Sequence, residues 1–460
     1  MRIGLLPLAR PTFDVAYAEE MLGAMLARLE RSGHAFTGPR ELLLDAAQAR
    51  GALRAHCDAG VGRLLVLQVT FTDAAMTVEA AETGLNLSIW AIPEPRLGGR
   101  LRLNAFCGLN LASHALSRRG AGFAWAFGTP EEMPEPELAG LLDGTCRAGR
   151  RDGRRTGTAT GAAVAIRHAI AGRRIGRIGE PPEGFDTCAC DPRQIHALAG
   201  VVVDEIPLDT LFTLARQVPE ADLQPARDRA DTELAGTGSV NQTQLARSLR
   251  LKPALDRLRA GGGYSAFALR CWPETFTGYG GAACGPVSMM GEDRVPCACE
   301  ADVYGALSQM ILQEVARTPV FLTDLVDMDR RDDSAVVWHC GQAPVSMCAP
   351  GFAPEATVHS NRRMPLLYQF PLKPGRVTLM RISQAFDTPR MVLAGAEMLD
   401  RPMAFSGTSG VLRFDRPVAR VLPALIGGGV EHHLAIAYGD HTRALADVAA
   451  ALDLPVLELA

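Results

Sequence analysis

Over the first 145 residues, near-continuous apolar runs alternate with stretches whose apolar positions recur every three or four residues. RIGLLPL, RLLVLQVTF (63–71) and LNLSIWAI (85–92) are of the first kind and predict strands covered on both faces of a parallel sheet. VAYAEEMLGAMLARLERSG is of the second kind and predicts an amphipathic helix, with further helices around 39–56, 73–83 and 109–118. This alternation predicts a doubly wound α/β domain over residues 1–150. No G-x-G-x-x-G follows the first strand, so a dinucleotide is not indicated.

The segment RAGRRDGRRTGTAT (147–160) lacks large apolar residues and marks a boundary. A second doubly wound α/β domain is predicted over 151–318, from a helix at 161–172, strands RRIGRIG and VVVDEIP, a long helix near 240–260, the strand YSAFALRCW and a helix at 301–317. The texture then changes. VTLMRISQAF, MVLAGAEML, GVLRFDRP and HHLAIAYGD are short strand-like runs between Gly and Pro turns, which predicts a β-rich, barrel-like C-terminal domain over 319–460. The fold class expected is therefore α/β, two doubly wound domains followed by a β-rich one, and 460 residues are too many for one core.

Composition narrows the function. A net charge of −4 gives no electrostatic case for nucleic acid or an anionic membrane surface. No run of about 18 apolar residues occurs. Pro7 and Pro11 interrupt the N-terminal apolar run, and no signal-type cleavage region follows. Eleven cysteines, an odd number without secretory features, point to reduced thiols in a cytoplasm.

Candidate chemistry gathers between Arg270 and Gly341. Glu300 precedes an apolar helix, Asp324 follows the strand PVFL, and His339 closes the strand AVVWH. Each has an ordinary reading: an acid at a helix start, a turn cap, a structural histidine. Together they are hard, hydrogen-bonding groups on rigid elements, as an oxygen-rich metal site requires. Near the C-terminus, GGGVEHHLAIAYGDH adds His432, His433 and His441. On a strand, neighbouring side chains face opposite ways, so only one of His432 and His433 is expected to face a site. The CxC pairs Cys188/Cys190 and Cys297/Cys299 do not match zinc-finger spacings.

RCWP, CACEADVYGAL leading into an apolar helix, FLTD, HCG and the late GGG…HHLAIAYGD resemble the L-fucose/L-arabinose isomerase superfamily, most closely its L-fucose isomerase-like branch. The resemblance covers most of the chain and is strongest over 270–341. It implies a cation, Mn²⁺ or another divalent ion such as Mg²⁺ or Co²⁺, held by Glu300, Asp324 and His433, the first two spaced as that family spaces its first ligands. It implies aldose–ketose isomerisation through a cis-enediol, with Glu300 and Asp324 moving the proton between C1 and C2. His339 and Trp272 would contact substrate. The family architecture also implies a homo-oligomer with sites at subunit interfaces, which nominates Trp90 as a residue reaching a neighbouring site; a buried core Trp is the alternative.

The chain departs from the family in being shorter than the bacterial L-fucose isomerases, and Asp327 is a rival ligand. A changed pocket leaves room for a pentose, a hexose or a sugar with an anion at C6 such as sulfoquinovose, for which Arg362, Arg363 and Lys373 are the nominated donors. A sugar epimerase or lyase using the same enediolate, a non-catalytic sugar-binding protein and a zinc hydrolase remain as other readings.

Overall fold

A computed structural model describes residues 2–460. The N-terminal strands Arg2–Leu8, Ala35–Thr37, Arg63–Gln68, Asn86–Ala91 and Phe123–Phe127 form one parallel sheet, with helices between them. Arg2–Leu8 lies between Ala35–Thr37 and Arg63–Gln68, so the chain switches direction across the sheet beside the first strand. The crevice at such a switch, at the carboxyl ends of the strands, is where α/β sheets receive ligands. Leu64 to Leu67 are fully buried, as the unbroken apolar run demanded. The short strand Ala35–Thr37 and the strand Phe123–Phe127 were not foreseen.

A second parallel sheet joins Val202–Ile206, Arg174–Ile178, Tyr264–Leu269 and Cys297–Cys299. The third is a nine-stranded mixed sheet from Glu355–Thr357 to Val456–Glu458 in spatial order. Within it, Thr408–Phe414 pairs with both Ser334–His339 and Arg390–Met398, which closes six strands into a barrel. Closure removes free strand edges. The helix Val418–Gly427 interrupts this β-rich region and was not anticipated.

Two features position the functional side chains. Asp324 and His433 are directly opposite on the antiparallel strands Phe321–Asp329 and His433–Tyr438, so they share a face. Glu300 sits in the turn between Cys297–Cys299 and the helix Val303–Ala316, not at the helix start itself. Glu300 and Ala301 both adopt left-handed backbone, φ 59° and 56°. Such conformations in non-glycine residues cost about 1–2 kcal/mol each, and they concentrate at functional sites. The helix start is held instead by Asp302, whose carboxylate accepts from the Gly305 amide at 2.8 Å.

Trp90 corrects the expectation of a residue reaching a neighbouring site. It is fully buried in the first sheet and donates its indole N–H to the Gly128 carbonyl at 3.0 Å. Its run of apolar strand neighbours had allowed that alternative from the start.

Candidate active site

One cleft collects residues from all three sheets. The first sheet sends Arg10 and Phe71 from the loops after Arg2–Leu8 and Arg63–Gln68, at the switch point, and Asn104 from the start of the helix Ala105–Arg118, which follows Asn86–Ala91. The second sends Trp272 and Glu300 from beyond its strand ends. The barrel sends Asp324, Trp338, His339 and the loop carrying His359 and Arg362.

The acids and imidazoles converge at the base. His433 Nε2 lies 3.5 Å from Asp324 Oδ1 and 3.7 Å from Glu300 Oε2. His432 Nε2 is 2.9 Å from the same Glu300 oxygen, and the Trp272 indole donates to the other at 3.0 Å. Both histidines therefore reach the site, contrary to the alternation argument. The strand begins only at His433, and His432 lies in the bend before it, where no pleat separates the two side chains.

The hydrogen bonds distinguish His433 from His339. His433 Nδ1 is 2.8 Å from Asp302 Oδ2, and a carboxylate partner requires the proton on Nδ1, leaving the Nε2 lone pair facing Asp324 and Glu300. His339 is the reverse. Its Nδ1 accepts from the Cys340 amide at 2.8 Å, so in the neutral ring Nε2 carries the proton. His433 is set up as a lone-pair donor and His339 as a hydrogen-bond donor.

Four buried atoms at this place have no partner among the described residues: Asp324 Oδ1, His433 Nε2, His339 Nε2 and His432 Nδ1. Unpaired buried polar groups are costly, each about 1–3 kcal/mol. Two carboxylates and an imidazole lone pair around them are the donors a hard divalent cation takes, so the residues present fit such an ion. Asp324, His339 and His433 form one close donor group, and Cys188, Glu300, His432 and His433 another.

The electrostatics separate the two carboxyls. Burial pushes Asp324 up to about 7, His433 opposing and the neighbouring Glu300 and Asp302 reinforcing the rise. Burial acts on Glu300 in the same sense, but the hydrogen bond from His432, the neighbouring imidazoles and the Trp272 donor outweigh it and hold Glu300 at about 2. Burial, with His433 close by, lowers His339 to about 3 and keeps it neutral.

Behind His433 runs a buried ionic chain that the sequence reading missed. Asp302 makes a two-pronged pair with Arg381, which also donates to the Thr187 carbonyl at 3.1 Å and approaches Glu431 at 4.0 Å. Asp302 and Arg381 are both fully buried. Asp302 lay in plain view inside CACEAD, two residues from Glu300. Arg381, in a strand-like run, gave no signal.

Other nominations resolve differently. Asp327 is not at the site: it accepts from Arg96 Nε at 2.6 Å and from the Glu94 amide at 3.3 Å. A register shift between Leu325 and Asp327 accompanies this turn away from Asp324. Arg362 lines the cleft, its guanidinium 5.3 Å from the Trp272 ring and 5.5 Å from that of Phe276. Arg363 does not; it is exposed, with φ 59°, because the chain reverses at this point. Lys373 donates to the Ser346 carbonyl at 2.9 Å and packs over Tyr438, away from the cleft. His441 caps its own turn, 3.0 Å from the Tyr438 carbonyl.

Residues 4–143 match the family described as fucose/sulfoquinovose isomerase, N-terminal domain. Over nearly its whole length the chain is similar to sulfoquinovose isomerases. It is 29% identical to that of Alkalicoccus urumqiensis over 457 residues, covering 99% of this chain and 98% of the relative. It is 28% identical to that of Priestia aryabhattai over 450 residues, 97% of each chain, and 29% identical to that of Clostridium sp. (strain MSTE9) over 460 residues, again 97% of each. The protein is an enzyme of the aldose–ketose isomerase class. The family match covers the N-terminal third of the chain, and the likeness to sulfoquinovose isomerases extends over nearly all of it.

Proposed function

We propose that this enzyme interconverts an aldose and a ketose with the help of a divalent cation, Mn²⁺ by preference, and that its substrate is sulfoquinovose, the sugar for which its relatives are named. The observation that carries the metal reading is the opposed protonation of His433 and His339 beside unpartnered Asp324 and His433 atoms. Glu300, Asp324 and His433 would hold the cation. A divalent cation held there would supply electrostatic stabilisation of the negative charge that grows on the substrate oxygens as the proton leaves C2.

The chain's own groups account for the rest. One carboxylate of the Glu300–Asp324 pair takes the proton from C2 while the C1 carbonyl oxygen gains one, which gives the cis-enediol. Return of a proton to C1, with loss of the O2 proton, completes the ketose, and the protein ends as it began. His339 Nε2–H is directed to donate to a substrate oxygen, and the Trp272 indole keeps Glu300 oriented. Arg362 supports an anionic far end of the sugar. It is half-buried, forms no ion pair among the described residues, and faces the cleft with Arg10, which is itself paired with Asp73.

Two measurements test this reading. Elemental analysis and Mn²⁺ titration should give one ion per chain, lost in His433→Ala and retained in His339→Gln; equal loss in both would remove the assignment of roles. Arg362→Ala should raise KM for sulfoquinovose at least tenfold while changing KM for a neutral aldose such as L-fucose less than threefold. Equal changes would dispose of the anion role.

A further inference from the structure

A second concave patch lies outside the catalytic cleft, lined by Arg216, Arg247, Arg250, Gly278 and Tyr279. Among the described residues, no acidic side chain lines it. Arg216 ends the helix Leu208–Arg216, where a cation suits the helix dipole, so that helix explains one of the three charges. Arg247 and Arg250 are three residues apart on Gln242–Gly262, hence on one face, where like charges repel. Arg250 reaches out to Glu220 at 2.7 Å. Among the described residues, Arg216 donates only to the Gly278 carbonyl, at 3.2 Å. Arg247 contributes its main-chain carbonyl to the Tyr279 hydroxyl at 2.7 Å, and its guanidinium forms no ion pair among the described residues. The floor is rigid: Tyr279 stacks on Phe212 with ring centres 5.1 Å apart.

Three guanidiniums are thus gathered against one aromatic floor with a single carboxylate at their edge. We propose that this patch binds a small oxyanion-bearing ligand of the phosphate-ester class. Arginine forks match the oxygen geometry of such groups, and an anion would offset the repulsion that folding leaves in place. The inference does not depend on the catalytic reading. The patch also shares one turn with the cleft, since Thr275–Tyr279 presents Phe276 to the cleft and Tyr279 to the arginines.

The test is calorimetric titration of the full-length, metal-loaded enzyme with inorganic phosphate and with glycerol phosphate at low and high salt. The wild type, the Arg216→Gln/Arg247→Gln double variant and Arg362→Ala would be compared, the last to remove any anion held in the cleft. The expected result is one saturable, salt-sensitive site in the wild type and in Arg362→Ala, weakened at least tenfold in the double variant. Unchanged binding in the double variant would overturn the proposal, because the anion would then sit elsewhere. So would absence of binding in the wild type, or a change in oligomer size in the double variant by light scattering, which would assign the arginines to carboxylates of a second copy.

Discussion

Asp302 is the residue on which the site's chemistry turns without touching substrate. Its contact fixes the proton of His433 on Nδ1 and so aims the lone pair of Nε2 at Asp324 and Glu300. Removing such an outer partner typically costs ten- to hundredfold in metal affinity. Asp302→Asn should therefore weaken Mn²⁺ by that factor in titrations of the folded variant, although Asn can still cap the helix. It should also lower thermal stability by a few kcal/mol, because the buried Arg381 loses its two-pronged carboxylate partner and keeps only the more distant Glu431. Unaltered metal affinity in a folded variant would mean that His433 needs no such orientation. Asp324 supports a second prediction. With its folded carboxyl raised to about 7, a proton occupies it below that pH and must leave when a cation binds. Mn²⁺ affinity should rise by up to tenfold per pH unit from pH 5 to 7 and level off above, with proton release at pH 6 measurable in buffers of different ionisation heat. A flat profile would contradict it.

At the scale of elements, the turn from Cys299 to Val303 does the positioning. Two consecutive left-handed residues bring Glu300 out of the sheet and turn Asp302 into the cap. Ala301 tolerates φ 56° because its side chain is small; a β-branched residue there is strained. Ala301→Val should destabilise the fold by about 1–3 kcal/mol and weaken metal binding, whereas Ala301→Gly should leave both nearly unchanged; denaturation with and without Mn²⁺ separates the cases. This turn also marks what was readable beforehand. Apolar periodicity located most of the strands and helices of the first two sheets, because burial on a covered sheet is written in each local segment. It ended the strand before Asp324, whereas Asp324 lies inside Phe321–Asp329, because the polar Thr323 and Asp324 break the apolar run without ending the strand. It also read Glu300 as a helix-start acid, since left-handed backbone leaves no mark in residues other than glycine and asparagine. The alternation rule misjudged His432 because a strand's first residue is not fixed by its composition. Arg10, Asn104 and Arg381 were not legible at all: their roles come from non-local packing across the three sheets.

For the whole molecule, the site depends on how the first sheet is held against the barrel. Arg96 makes the tie, pairing with Asp327 at 2.6 Å and donating to the Ser334 hydroxyl at 2.7 Å. Nearby, Glu94 accepts from the amides of Leu103 and Asn104, each at 2.8 Å, at the start of the helix that brings Asn104 to the cleft. Arg96→Met should leave Asp327 buried without its partner, cost about 3–5 kcal/mol, and lower both the melting temperature and kcat/KM. Full activity with unchanged melting would mean that the barrel and first sheet need no such anchor.

The most direct test of the central claim is proton NMR of metal-stripped enzyme with sulfoquinovose in D₂O, before and after Mn²⁺ is restored. The expected result is no conversion without metal, ketose formation with it, and deuterium entering C1 of the ketose through exchangeable carboxyl groups, with conversion abolished in Glu300→Gln and in Asp324→Asn. Undiminished isomerisation by the stripped protein, or by either variant, would contradict it.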